Sequence, residues 1–377
     1  KTIVRVISVV PSKYCAPLSS SSMPSGVGFG LVALSLQLPH FFACSIALLA
    51  VIAFSGATHD IATDGVYMTE LSKSDQAKYI GWQGAFYNIA KIVASGGLVY
   101  LAGWLVKRFG GVEGASGEVV YEANVHAWMI VMFVMAIVMI SLGLYHTRML
   151  PSGGAATSEA TSFKETFDKL VEVILDFFKK KHIWYYIAFI ILYRFAEGFV
   201  MKIVPLFLKA GREIGGLGLS EQEIGIYYGT YGAAAFVLGS LLAGYYISHR
   251  GLKKTLFSLC CTFNLPFIAY TLLAIYQPTS GMLIGGAIVL EYFGYGFGFV
   301  GLTLFMMQQV APGKHQMAHY AFASGIMNLG VMLPGMVSGF VSDWLGYRDF
   351  FIFILFAAIP AFLITYFVPF TYPDAKK

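Results

Sequence analysis

Apolar residues in this chain run in long blocks instead of alternating with polar ones. Ten stretches read as helices: 27–38, 41–68, 79–106, 126–145, 182–208, 222–247, 255–275, 281–307, 320–341 and 350–370. Nine of them are long enough to cross a bilayer. The stretch 27–38 supplies only about 18 Å of helix against a hydrocarbon core of roughly 30 Å. It is expected to be the end of a span whose beginning is absent from the sequence. Residues 1–24 hold Arg5, Lys13, Pro11, Pro17, Pro24 and the run Ser19 to Ser22, which predicts an irregular segment unable to span. The start at Lys1 points to truncation, and Arg5 interrupts the only stretch that could resemble a signal peptide. Barrel strands would show as alternating segments of about ten residues, so the expected class is an all-α membrane bundle.

Composition agrees with this pattern, since 57% of residues are hydrophobic and only 12% charged. Glycine, at 41 residues, clusters inside the apolar blocks, as at Gly294, Gly296 and Gly298 or Gly325 and Gly330. In membrane helices that placement predicts close helix–helix approach. Basic residues divide unevenly between alternate connections. One set carries Lys73, Lys78, Arg148, Lys164, Lys169, Lys179 to Lys181, Arg250, Lys253, Lys254, Lys314, Lys376 and Lys377, and the other only Lys107, Arg108, Lys209, Arg212 and Arg348. The positive-inside rule puts the richer set, and the C-terminus, in the cytoplasm.

The longest connection divides the chain unequally into a segment 25–147, expected as an incomplete transmembrane bundle, and 182–372, expected as a six-helix bundle. Within the linker 148–181, Phe167, Leu170, Val171, Ile174 and Phe178 recur at helical spacing between charges, which predicts an amphipathic helix on the membrane face. Two six-helix halves joined by a cytoplasmic loop are a common transporter plan. Two more helices and a completed first one would restore that symmetry here.

No phosphate-binding loop, nucleophile elbow or zinc-protease motif is present, which argues against an ATP-driven pump or an intramembrane enzyme. Cys15, Cys44, Cys260 and Cys261 have no metal-site spacing, so packing is their expected role, with no metal and no cofactor. An ion gradient is the expected energy source. The candidate chemistry lies in charges inside the apolar blocks: Asp60, Asp64, Lys91, Arg194, Glu197, Lys202 and Glu291. Each costs about 2.5–3.5 kcal/mol at the centre of a spanning helix, so such residues face a bundle interior or a watery path.

The stretch from Gly56 to Asp64, GATHDIATD, resembles the fourth-helix signature of AmpG-type muropeptide permeases and their acetyl-CoA transporter relatives, within the major facilitator superfamily. The likeness continues through Leu192 to Glu197 (LYRFAE), Pro205 to Leu208 (PLFL), Leu219 to Gly225 (LSEQEIG), Glu291 with the glycine-rich run to Phe305, His319 to Gly325 and Pro334 to Gly339. It covers roughly 27–370. One departure stands in the loop 244–254, which keeps Gly251, Lys253 and Lys254 but has Ser248 and His249 where the superfamily's loop motif carries an Asp-Arg pair.

The resemblance implies that the helices of Asp60, Arg194 and Glu291 correspond to the fourth, seventh and tenth, which line the central cavity, and that the first is missing. Asp60 and Asp64, four apart, share a helix face and are candidates for proton coupling or gating, together with Glu197 and Glu291. Arg194 is read as paired with Glu197, with Glu291 or with an anionic substrate group. Gln83, Tyr87, Lys91 and Ser95 form a stripe at four-residue spacing with Asn88 beside it, and Lys91 is the candidate to meet a carboxylate. Among the aromatic residues, Tyr87, Tyr193, Tyr292 and Tyr295 lie beside polar positions and are candidates for substrate contact. The expected protein is a monomeric, multi-pass carrier of a bacterial inner membrane that imports muropeptides with protons. Its partners would be a small solute, protons and the bilayer, with no nucleic acid. Another sugar, an organic anion or a CoA thioester is the alternative solute, and a non-transporting receptor or truncated remnant the alternative class.

Overall fold

The computed structural model describes residues 15–112, 114–149 and 163–373, and these are almost entirely helical. The contacts divide the chain into two units, Lys1–Glu70 with Ala90–Thr161, and Leu71–Ile89 with Ser162–Lys377. Six helices among the described residues are long and apolar enough to cross a membrane: Phe41–Gly65, Gly117–Arg148, Gly225–Arg250, Leu252–Tyr276, Gly281–Val310 and Gln316–Tyr366.

The first unit is built on α1 (Cys15–Ser35), α2 (Phe41–Glu70), the end of α3 (Lys73–Ile92), α4 (Val99–Arg108) and α5 (Gly117–Met149). Helix α1 corrects the expectation of an irregular segment over residues 15–24, while residues 1–14 lie outside the described residues and the apolar part, Ser22–Ser35, stays shorter than the spans. Its 21 residues reach about 32 Å at 1.5 Å per residue, with Pro24 inside. The serines that look unsuited to a span are buried at Ser22 and Ser25, and Gly26 lies so close to α5 that a Cβ there would come within 2.6 Å of Ile140. Small residues permit that approach. Helices α4 and α5 pack through Ala102, Leu105, Ala127 and Val131.

The unit boundary falls inside α3, whose residues up to Ile89 group with the second unit and not with the bundle 25–147. The reason is close packing: Ser240 Oγ donates to the Gly81 carbonyl at 3.2 Å, and Gly81 rests on the backbone of Ser240 and Leu241. The expected helix 79–106 is not continuous either, because a π-helical stretch, Val93–Leu98, separates α3 from α4.

In the second unit α6 (Phe163–Phe178), the expected amphipathic helix, leads to α7 (Ile183–Tyr193) and α8 (Phe195–Lys209). A short α9 (Glu221–Ile224) and a π stretch, Gly225–Tyr231, precede α10 (Gly232–Arg250). Then come α11 (Leu252–Asn264), α12 (Phe267–Tyr276), α13 (Gly281–Phe305) with its π end Met306–Val310, and α14 (Gln316–Tyr366). Helix α14 breaks at Gly346, with φ 72°, which accounts for the two separate helices expected there. Glycines set the position of α13, as expected: a Cβ at Gly296 would meet the backbone of Phe236 on α10, and one at Gly298 the side chain of Phe263 on α11. Gly325, by contrast, faces open space. Around Phe199, Phe207, Tyr270, Ile288, Phe350 and Phe351 the helices share one apolar core.

Candidate coupling and substrate site

The expected helix 182–208 is broken at Arg194, which ends α7 and begins α8 with φ −107° and ψ 5°. At that break the guanidinium turns one turn ahead to Glu197. Nε meets Oε2 at 2.6 Å and Nη2 meets Oε1 at 2.7 Å, a two-pronged pair in which Arg194 is 5% exposed and Glu197 2%. Such a fork is the strongest charge-assisted geometry available to arginine. The face of Phe299 lies 5.1 Å from the guanidinium carbon, and Tyr295 approaches the same group. Of the three pairings the sequence left open for Arg194, the structure forms the one with Glu197.

Glu291, Tyr295 and Phe299 recur every four residues on α13 and so share one face. Glu291 is buried within electrostatic range of Glu197, and the Tyr270 hydroxyl donates to its Oε2 at 3.3 Å. No cation pairs with Glu291 among the described residues. Tyr292 and Tyr228 meet edge to face at 4.9 Å beside it, and Tyr295 packs against Phe236, Phe263 and Phe299. The result is a buried group of one cation and two carboxyls ringed by aromatic side chains. Tyr193 stands apart from its expected role: it is fully buried and its hydroxyl donates to the Gly298 carbonyl at 2.8 Å, tying α7 to α13.

Of the remaining candidates Tyr87 comes within electrostatic range of this group, at Tyr295. Asp60, exposed, and Asp64, half-buried, lie on α2 in the first unit, where the rings of His59 and His146 are 5.8 Å apart. Gln83 and Asn88 are half-buried and Tyr87 is 71% exposed, all in the second unit, while Asn88 donates back to the Gly84 carbonyl at 2.9 Å. The side chains of Lys91 and Ser95 lie outside the described residues. Ser95 sits in the π stretch, which changes the phase of the helix and takes it out of the four-residue row. Lys202 is exposed.

Sequence reasoning missed Tyr270 and Phe299, whose contacts depend on packing between distant helices. It also treated Lys180 only as a topology charge. Its Nζ donates to the carbonyls of Val310, Ala311 and Pro312 at 2.7, 3.0 and 2.6 Å, closing the end of the α13 π segment. Burial pushes its ammonium down from 10.5 to about 8.

Helical bundles with glycine-mediated packing, broken helices and buried charge are features of membrane carriers. The chain belongs to the major facilitator superfamily, whose family model matches residues 21–311 and 195–377. It is therefore of a transporter family and fold, not an enzyme. It is 23% identical over 319 residues to the anhydromuropeptide permease of Escherichia coli (strain K12), a match covering 84% of this chain and 58% of the permease. The chain thus spans little more than half the length of that relative. Among solved structures it resembles the E. coli fucose:proton symporter FucP, with a TM-score of 0.64, 15% identity and coverage of 94% and 83% of the two chains. A bacterial homologue of the iron transporter ferroportin, in an outward-facing state, gives a TM-score of 0.54 at 12% identity, covering 97% and 84%.

Proposed function

We propose that the chain forms part of a proton-coupled carrier of the bacterial inner membrane that takes up peptidoglycan-derived anhydromuropeptides, with its C-terminus on the cytoplasmic side. The observation that carries this reading is the Arg194–Glu197 pair, buried at a helix break beside Glu291, which has no cation partner among the described residues. The name of the E. coli relative, an anhydromuropeptide permease, supports the solute, and the solved symporter supports the fold.

The geometry offers a way to couple the two. In this scheme Glu291 takes up the coupling proton while the Tyr270 hydroxyl holds its carboxyl. Neutralising Glu197, the carboxyl that holds it, frees the Arg194 fork to receive a carboxylate of the solute, a planar recognition that lysine cannot reproduce. Tyr295 and Tyr292 supply the aromatic wall, and Tyr87, Gln83 and Asn88 are the further solute contacts of the second unit, while Lys91 is a carboxylate-binding candidate of the first unit by itself. Asp60 and Asp64 act in the first unit as gating or second proton-binding carboxyls.

Uptake of labelled anhydromuropeptide into membrane vesicles, with and without a proton gradient, tests this reading. Gradient-dependent accumulation is expected. Absence of uptake at every pH would overturn it, and uptake of an organic anion or CoA thioester in its place would assign a different solute to the same site.

A further inference from the structure

A polar cavity of about 310 Å³ lies where α10 turns into α11, and none of the groups of the Arg194 site lines it. Lys73, His249, Arg250, Gly251, Lys254 and Gln308 are among its walls, and no carboxylate lines it among the described residues. The departure at Ser248 and His249 from the superfamily's loop motif falls here, so serine and histidine stand where the motif would set an acidic residue beside these cations.

The cations are not consumed by pairing. Among the described residues none of Lys73, Arg250 and Lys254 forms an ion pair. The Arg250 guanidinium lies over the Tyr246 ring at 5.5 Å, which orients it while leaving its N–H donors available. Lys73 gives one bond to the Pro373 carbonyl at 3.0 Å and keeps its remaining N–H groups. His249 uses Nδ1 on the Tyr245 carbonyl at 2.8 Å, so its Nε2 is the free ring atom.

Helix α11 begins at this cavity behind Gly251, with φ 84°, and no side chain caps it. Its first N–H groups therefore lack intrahelical acceptors and point the positive end of the helix dipole toward the same space. Gln308, 5% exposed, fixes the wall by donating to the Lys73 carbonyl at 3.2 Å. Three cations, uncapped amides and a wall with no acid among the described residues suit a tetrahedral oxyanion. The turn also joins the candidate spans Gly225–Arg250 and Leu252–Tyr276, which puts it at a membrane surface.

We propose that this cavity binds a phosphate-bearing anion, either a phospholipid headgroup or free phosphate. The proposal does not depend on the transport reading, because none of its residues belongs to the Arg194 site. Thermal unfolding of the whole chain tests it in two arms. One compares inorganic phosphate with chloride at matched ionic strength in detergent, and the other compares vesicles of phosphatidylcholine alone with vesicles also containing phosphatidylglycerol.

A rise of a few degrees in at least one arm is expected, lost in the doubly substituted Arg250→Gln, Lys254→Gln chain and kept in Arg348→Gln, which lies outside the cavity. A rise in the phosphate arm assigns the soluble source, and a rise confined to the vesicle arm assigns the headgroup. No rise in either arm, or a rise that survives the double substitution, overturns the proposal. Broadening of the phosphorus resonance of the added phosphate or lipid by the unsubstituted chain gives a readout that needs no variant, and its absence in both arms has the same consequence.

Discussion

Arg194 and Glu197 meet through two parallel hydrogen bonds, at 2.6 and 2.7 Å, across the point where α7 gives way to α8. Both are buried, so each partner is what makes the other tolerable. Removing one is costly, whereas removing both leaves no orphan charge. Glu197→Gln is therefore expected to destabilise the chain by about 3–5 kcal/mol, and the joint replacement Arg194→Met with Glu197→Leu to cost far less. Unfolding of the purified variants by a denaturing detergent measures both. Equal losses would contradict the pairing.

The glycines of α13 and α14 offer a paired test of packing. Gly296→Ala would drive a Cβ against the Phe236 backbone and is expected to destabilise by about 1–3 kcal/mol. Gly325→Ala meets nothing within 4 Å and replaces a poor helix former, so it is expected to be neutral or slightly stabilising. Thermal midpoints of the two variants decide the matter.

Lys180 gives a dependence on pH. Its folded-state value is lowered from 10.5 to about 8, so between those limits the unfolded chain holds the proton and the folded chain has released it. Stability contributed at this position therefore rises with pH across that window, and the cost of burying the charge is fully present below about pH 8. Comparing unfolding of the unsubstituted chain and Lys180→Met from pH 7 upward should show the difference moving in favour of lysine as pH increases. A difference that stays flat, or moves the other way, would refute it.

Much of this architecture could be read from hydrophobic blocks and glycine placement, and the Arg194–Glu197 pair from a spacing of three. What escaped has physical reasons. No proline or glycine marks the break at Arg194, because a buried ion pair and not a weak helix former accompanies it. Serines and Pro24 hid α1, since their suitability rests on close contact with α5. The contact between Tyr270 and Glu291 joins two helices, α12 and α13, and follows from how they pack, not from spacing along one of them. Likewise, the three carbonyls around Lys180 come together where the π segment Met306–Val310 ends and the chain turns away, which spacing along the sequence does not show.

The most direct test of the central claim is transport by Glu291→Gln, measured as both proton-driven accumulation of labelled anhydromuropeptide and exchange of that solute across vesicles without a gradient. If Glu291 carries the coupling proton, accumulation is lost while exchange continues. Accumulation that persists at the unsubstituted level would contradict the account.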